Sequence, residues 1–334
     1  ILLGEHAKTG MQYQAKADYK NAIKELSAEI KKPASEYSQI LSLVFLANVK
    51  IQQEMYQNKD KPGWTPDLKK STVGISELEK ARKRLEKYDG PNKPELLYEL
   101  GMSFLQRGLH SRAIQPLKES YENDKGPTAL RTKIYYLICL IQTGQGEKLS
   151  KELDKVFSEI RRMEKRKTLP DKNLSELYHL HACARHQFTQ NIKGDNRPPV
   201  QEVIDAFKEV IRIYPTGTQA MESMAFLGQI YLELGDKDKS LYYCEELAKA
   251  IEKNLENRQS MDEQGCVMVF AMLINLVDRE HDNRVKLMKD DAIESVHLFN
   301  ENLEIARKSL KSRDYETALK AIRTLIKKSK SEKK

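Results

Sequence analysis

The 334-residue chain has few of the residues that interrupt helices or shape catalytic loops. It contains 15 glycines, 11 prolines and a single tryptophan. Its Asp-Gly dipeptide, Asp89-Gly90, lies between two helical patterns, whereas a β-hairpin would place it between alternating apolar runs. The scarcity of turn signals between strands predicts an all-helical protein.

Motifs that carry chemistry are also missing. The sequence has no glycine loop that could cradle phosphate, no G-x-S-x-G and no C-x-x-C. Its many Glu and Lys residues recur at i, i+4 spacing, which is typical of solvated helix faces. We therefore expect a non-enzymatic protein with no cofactor.

The four cysteines are not spaced as a disulfide framework or a metal motif. Each lies in an apolar helical pattern, which favours free buried thiols and a reducing, cytoplasmic compartment. They are Cys139, Cys183, Cys244 and Cys266. Because the chain begins at Ile1 instead of Met, a periplasmic or envelope location after removal of a leader or anchor is the alternative.

Long apolar runs are absent, and the positive charge is unevenly distributed. The longest mainly apolar run, Val267–Val277, has 11 residues, so no membrane span is predicted. The net charge is +8, and about half of it lies in Lys327–Lys334. Residues 329–334 are predicted to form a basic disordered tail.

Two internal basic runs, Lys80–Lys87 and Arg161–Lys167, are the features that could suggest a nucleic-acid partner. Neither is interleaved with the aromatic residues that stack on bases, and no recognition motif accompanies them. Nucleic acid is therefore not the favoured partner, and a nucleic-acid-associated protein is kept as a minor alternative.

What the sequence does contain is a repeat. The stretch Pro94–Gln142 belongs to two helical hairpins in tandem. Gly108 lies at the inner turn of the first hairpin, and Gly144, just beyond the stretch, lies at that of the second, 36 residues later. A period in the mid-thirties with paired amphipathic helices is typical of a helical solenoid. Such hairpins cannot bury their apolar faces alone, so they stack.

The best-formed hairpin has large apolar, small and aromatic residues in a fixed order. They are Leu97, Leu100-Gly101, Phe104, Gly108 at the turn, Ala113, Leu117 and Ser120. A later hairpin repeats the order with Met224, Leu227-Gly228, Tyr231, Gly235-Asp236, Ser240, Cys244 and Leu247. These units resemble tetratricopeptide repeats, in which a small residue on each helix lets the other approach closely. The resemblance implies an all-α, right-handed superhelical solenoid of about seven antiparallel helix hairpins.

The resemblance predicts one solenoid over residues 1–328. Its best repeats are 94–127 and 219–254, and its weaker ones are 3–33 and 299–328. The remaining units have inserts at the turn or lack the glycine of the first helix. The fifth and sixth units, which include residues 206–236, resemble the divergent repeats of bacterial envelope and assembly proteins. A cell-envelope or motility-apparatus assembly protein is therefore the alternative function.

Members of this family act as scaffolds or adaptors that bind another protein, as a peptide or an amphipathic helix, on the concave face. The first helices of the third and fourth units carry apolar residues at the corresponding positions. These residues are Tyr98, Met102, Leu105, Ile134, Ile138 and Ile141. The alternative is that another part of this chain fills the groove. Trp64, in a Pro- and Gly-rich insert, is either a further contact anchor or a cap on the apolar edge.

One helix carries a pattern that could bind a metal. His179, Cys183 and His186 fall at i, i+4 and i+7, which places them on one helix face. Two such ligands one turn apart can hold Zn²⁺. No fourth ligand is identifiable in the sequence, so packing between helices is the favoured explanation and no metal is predicted.

Overall fold

In the computed structural model, the residues described here are 3–58, 68, 70–124, 126, 128–145, 149–192, 199–256, 271–279 and 293–331. Within these ranges all regular secondary structure is helical and no strand occurs. No helix in the described ranges is long and apolar enough to cross a membrane. The chain divides into two compact units, residues 1–154 with 190–192 and residues 155–189 with 193–334. One continuous solenoid over residues 1–328 stays a prediction.

Unit 1 is a series of helices in which each packs on the next. The helices are α1 (Glu5–Ala15), α2 (Tyr19–Lys31), α3 (Glu36–Asn58), α4 (Ile75–Leu85), α5 (Lys93–Gln106), α6 (His110–Asn123) and α7 (Ala129–Gln142). α8 (Ser150–Arg166) begins in this unit and continues into the other. The largest core of unit 1 joins α3, α4, α5 and α6, and it includes Ile40, Leu78, Leu100 and Leu117.

Unit 2 is likewise built from helices in its described ranges. Its remaining helices are α9 (Asp171–Asn191), α10 (Val200–Ile213), α11 (Thr218–Glu233), α12 (Lys237–Glu256), α13 (residues 271–279), α14 (Ile293–Lys311) and α15 (Tyr315–Ser331). α15 extends three residues into the predicted tail, whose last residues, 332–334, lie outside the described ranges.

The predicted close approach of paired helices is present in two hairpins. A Cβ atom on Gly101 would lie 2.6 Å from Cγ of Leu117, and one on Gly10 would lie 2.7 Å from Cγ of Leu26. Gly228 differs, because its Cβ would meet Leu276 of α13 at 2.5 Å. The small residue there accommodates a later helix, not its own hairpin partner.

The inner turns of five hairpins share one conformation. Glycines occupy the left-handed position in three of them, with φ of 69° at Gly108, 77° at Gly144 and 77° at Gly235. Ala17 (φ 56°) and Arg313 (φ 61°) occupy it in the first and last hairpins. In each turn the next residue donates its N–H to the carbonyl five residues earlier, at 2.9 Å, which is the Schellman arrangement. The predicted glycine turns are therefore confirmed.

We expect Ala17→Gly to raise the free energy of unfolding by about 0.5–1 kcal/mol. The left-handed conformation costs an L-residue about 1–2 kcal/mol, and the greater freedom of glycine in the unfolded chain offsets part of that gain. Gly144→Ala is the matched control, because no atom lies within 4 Å of its added Cβ and only the backbone cost remains. Urea unfolding should show the two changes with opposite signs, and a loss of stability in Ala17→Gly would contradict the explanation.

Candidate functional site

The structure divides the predicted apolar stripe into two parts. On α7, Ile134, Ile138 and Ile141 are only 0%, 8% and 2% exposed, since this helix is apolar on most of its faces and is buried nearly all round. On α5, Tyr98, Met102 and Leu105 are partly exposed and rest on the unit 1 core. The α7 residues therefore serve internal packing, and the part open to a partner lies on α5. Trp64 lies outside the described residues.

The open part of the stripe is extended by two carboxylates. Glu95, Tyr98, Glu99, Met102 and Leu105 follow one another at offsets of 0, 3, 4, 7 and 10 residues, which places them on one face of α5. We refer to these five residues as the α5 surface. The acidic members were not recognised from the sequence, although Glu95 and Glu99 at i, i+4 on an otherwise apolar stripe are a usable signal.

α5 is held against α3 by polar contacts. Tyr37 Oη donates to Glu95 Oε1 at 3.1 Å, and Asn48 Nδ2 donates to Ser103 Oγ at 2.9 Å. The two contacts are spaced eight residues apart along α5, so they fix the helix in two places. The α5 surface is thus carried by a rigid element, which lowers the entropy lost when a partner binds.

Among the described residues, no cation balances the negative charge of Glu99 on the α5 surface. Burial raises the pKa of Glu99 above its usual value, and the negative charge of Glu95 raises it further. Burial likewise raises the pKa of Tyr37, with Glu95 adding to the effect. In the described part of the chain, no side chain forms an ion pair or a hydrogen bond with the Glu99 carboxylate.

A buried arginine fixes the end of the insert that contains Trp64. Arg107, in the turn after α5, is 2% exposed. Its guanidinium donates to the carbonyl of Ala47 at 2.7 Å and to the carbonyl of Val73 at 2.5 Å. Val73 lies shortly after the insert, and Gly74 follows it with φ of 74°. The sequence did not predict this contact, because nothing in the sequence distinguishes a buried arginine in a hairpin turn from an exposed arginine in the same place.

In unit 2, the helix that carries the His179, Cys183 and His186 pattern contains a buried ion pair. His179 Nε2 lies 2.8 Å from Glu222 Oε2, and Nδ1 lies 3.1 Å from Ser223 Oγ. Ser223 donates its own proton to the carbonyl of Gln219 at 2.7 Å, so Nδ1 must donate to Ser223. Both ring nitrogens then carry protons. Burial alone would lower the pKa of His179, but hydrogen bonds with Cys183 and Glu222 outweigh it and raise the pKa to about 10.

Only two of the three metal candidates come together. Cys183 Sγ lies 3.5 Å from His179 Nε2, whereas the His186 ring packs against Phe226 at 5.8 Å and Phe207 at 6.2 Å between centroids. Metal binding requires neutral imidazole, and the geometry here favours imidazolium. Among the described residues, no group of three or more His, Cys, Asp or Glu side chains is arranged to hold a metal ion.

The same cluster does not have the geometry of a nucleophilic triad. In such a triad the histidine uses one ring nitrogen for the nucleophile and the other for the carboxylate that orients it. Here the thiol of Cys183 and the carboxylate of Glu222 face the same nitrogen, Nε2. Nothing in the sequence pairs His179 with Glu222, because the two residues belong to separate helices that only the tertiary fold brings together.

Comparisons with known proteins add little to this description. No protein-family model matches the sequence, and no curated protein is similar to it at a significant level. Two solved structures are similar in part. A Rap protein complexed with Competence and Sporulation Factor is 14% identical with a TM-score of 0.42, over 98% of this chain and 97% of that one. A monomeric mutant of IFIT1 with Gppp-AAAA is 12% identical with a TM-score of 0.25, over 99% of this chain and 90% of that one.

At these identities and TM-scores neither likeness identifies a ligand or a partner for this chain. The tetratricopeptide-like fold is supported by its own hairpins, with the close approaches at Gly10 and Gly101 and the shared Schellman turns. The chain thus has an all-α fold of repeated helical hairpins, and the comparisons do not assign it to a family.

Proposed function

We propose that this protein is a non-catalytic scaffold whose α5 surface binds a segment of another protein. The observation that carries the proposal is an apolar strip of three half-exposed side chains next to a carboxylate, Glu99, that has no partner among the described residues. A half-buried carboxylate without a partner costs free energy, and a bound cation would remove that cost.

The chemistry of the surface specifies the partner segment. Tyr98, Met102 and Leu105 call for apolar side chains, and methionine adapts well to varied ones. Glu99 calls for a lysine or an arginine placed beside them. The α5 surface spans 10 residues, or about 15 Å, which matches about three turns of an amphipathic helix.

The experiment is a selection of binding segments followed by affinity measurements. Peptides of about 15–20 residues displayed on phage are selected on the full chain, and the best are measured by fluorescence anisotropy. We expect the selected peptides to combine an apolar i, i+3/i+4 pattern with a basic residue. We expect Met102→Glu to weaken binding at least tenfold, because it places a third charge on the apolar strip. Glu99→Gln should weaken binding about tenfold, since one charge-assisted contact contributes about 1.5 kcal/mol.

Leu234→Glu is the matched control, because Leu234 is 55% exposed and lies in unit 2. It introduces the same charge at an exposed apolar position that is not part of the α5 surface, and it should leave the affinity unchanged. Binding should also weaken as the pH falls through the raised pKa of Glu99, where the carboxylate loses its charge. Equal affinity in folded Met102→Glu and in the unaltered chain would overturn the proposal.

A further inference from the structure

The basic run predicted on α4 forms one wall of an open groove in unit 1. The groove has a volume of about 620 Å³. It is lined by Ile30 of α2, by Glu36 and Leu43 of α3, and by Lys80, Lys83, Arg84, Glu86 and Lys87 on or just after α4. We refer to it as the α4 groove. It lies on a different helix from the α5 surface and shares no residue with it.

The cations of the α4 groove form a continuous stripe. Lys80, Lys83 and Arg84 are spaced at i, i+3 and i+4, which places them on one face of α4, and Lys87 follows in the turn after the helix; all four are exposed. The buried face of the same helix consists of Leu78, Ala81 and Leu85. The stripe is therefore a solvated face of a helix that is firmly anchored in the core.

The one other cation of α4, Arg82, is ion-paired, whereas the cations of the groove are not paired with any described residue. Arg82 Nε lies 2.9 Å from Glu79 Oε2, and Arg82 Nη1 lies 3.5 Å from Glu86 Oε1. Arg112 of α6 lies 3.3 Å from the same Glu79. Among the described residues, none of the four cations of the groove makes an ion pair or a side-chain hydrogen bond. Carboxylates therefore neutralise the positive charge on one side of α4, whereas the side that faces the groove keeps its positive charge.

The carboxylates of the groove do not neutralise the stripe. Glu86 is already shared with Arg82. Glu36 is in the first turn of α3, where an acidic side chain complements the positive end of the helix dipole. Lys31 and Lys32, at and just after the end of α2, are exposed and add positive charge directly beyond Ile30. The field of the groove is therefore positive, and its inner wall, formed by Ile30 and Leu43, is apolar.

We infer that the α4 groove binds an acidic protein segment that carries a large apolar side chain. Charge complementarity requires a polyanion, and the apolar wall offers a contact that a phosphate backbone does not use. None of the described residues that line the groove is aromatic and able to stack on a base, and the two carboxylates of the groove would repel closely spaced phosphates. The basic end of this chain, residues 327–334, has the same sign as the groove and is excluded as its occupant.

Two fluorescent peptides of about 15 residues test the inference, one composed of Glu, Leu and Ala and the other its Lys, Leu and Ala counterpart. A single-stranded RNA of similar charge and phosphatidylserine vesicles are the competing ligands. We expect the acidic peptide to bind the full chain and the basic peptide not to bind at this site. Lys80→Glu/Lys83→Glu should weaken binding of the acidic peptide at least tenfold.

Lys20→Glu/Lys24→Glu is the matched control, because it makes the same charge change on exposed residues of α2 that do not line the groove. It should change the affinity less than twofold. Replacing Leu by Gln in the acidic peptide should weaken binding at least fivefold. If binding depended only on attraction between opposite charges, this change would leave the affinity unaltered, because it does not alter the charge of the peptide.

Three results would overturn the inference. The first is that the two double variants lower the affinity for the acidic peptide equally. The second is that RNA or vesicles bind more tightly than the peptide through the same lysines. The third is that the Leu→Gln change in the peptide leaves its affinity unchanged. The failure of the α5 surface to bind its own segment would leave these results unaffected, since Met102→Glu does not alter the groove.

Discussion

Arg107→Ala should lower the free energy of unfolding of unit 1 by about 3–4 kcal/mol. The change removes a large side chain that is 2% exposed and leaves a cavity in its place. It also leaves the carbonyl of Val73 without the donor that it has from Arg107 at 2.5 Å. Urea unfolding followed by circular dichroism gives the total loss, and hydrogen exchange of the α3 and α5 amides shows whether it falls in unit 1.

Two further substitutions separate the cavity from the hydrogen bonds. Arg107→Met refills most of the volume but restores neither donor, so it should recover about half of the loss. Arg107→Lys keeps a charge that burial disfavours, as the lowered pKa of Arg107 indicates, and its single ammonium cannot reach both carbonyls. Lysine should therefore be no better than methionine at this position. Full stability in Arg107→Met would show that the two hydrogen bonds contribute nothing net.

His179→Leu should destabilise unit 2 by about 2–3 kcal/mol at pH 7. It removes the cation from a buried pair and leaves the Glu222 carboxylate, whose side chain is 17% exposed, without its 2.8 Å partner. Thermal unfolding of the full chain measures the loss. His179→Gln retains a donor for Glu222 and should lose less than leucine does.

The same pair predicts a pH dependence with a definite sign. The pKa of His179 is raised in the fold to about 10, from about 6.5 in the unfolded chain. Its contribution is fully present below about pH 6.5 and is lost as the pH rises through the folded-state pKa. The difference in unfolding free energy between the unaltered chain and His179→Leu should therefore shrink between these limits.

Cys183→Ser is the control for this titration, because it replaces the second neighbour of Nε2 and keeps Glu222 in place. It should keep the sign of the pH dependence, which the pairing with Glu222 still supports, and reduce its size, because the contact with Cys183 also raises the pKa of His179. A difference between His179→Leu and the unaltered chain that stays constant from about pH 6.5 to 10 would mean that His179 is neutral in the fold.

Much of the helical architecture could be predicted from local pattern alone. The 36-residue spacing of Gly108 and Gly144 located two turns, because a left-handed residue is required there and glycine adopts it without strain. The turns at Ala17 and Arg313 lack that signal, because neither residue type favours the left-handed conformation. The small residues at Gly10 and Gly101 pointed to close helix pairs, since no larger side chain fits at 2.6–2.7 Å from a neighbouring leucine.

The candidate surfaces were only partly predictable. The apolar stripe was assigned to α5 and α7 alike, because both helices present it with the same spacing. Burial then separated them, leaving Met102 half-exposed and Ile134 wholly inside. Periodicity identifies which residues share a face of a helix, but it does not say which face is covered by other helices.

The sequence by itself thus determined the helices, their pairing into hairpins and the location of the basic stripe at Lys80–Lys87, because these depend on residues close together in the chain. The tertiary structure alone decided that Arg107 spans two carbonyls and that His179 pairs with Glu222. It also decided that Glu99 and the four cations of the α4 groove have no ion-pair partner among the described residues. The physical reason is that a charge is neutralised by whatever lies within a few ångströms of it, and those neighbours come from distant parts of the sequence.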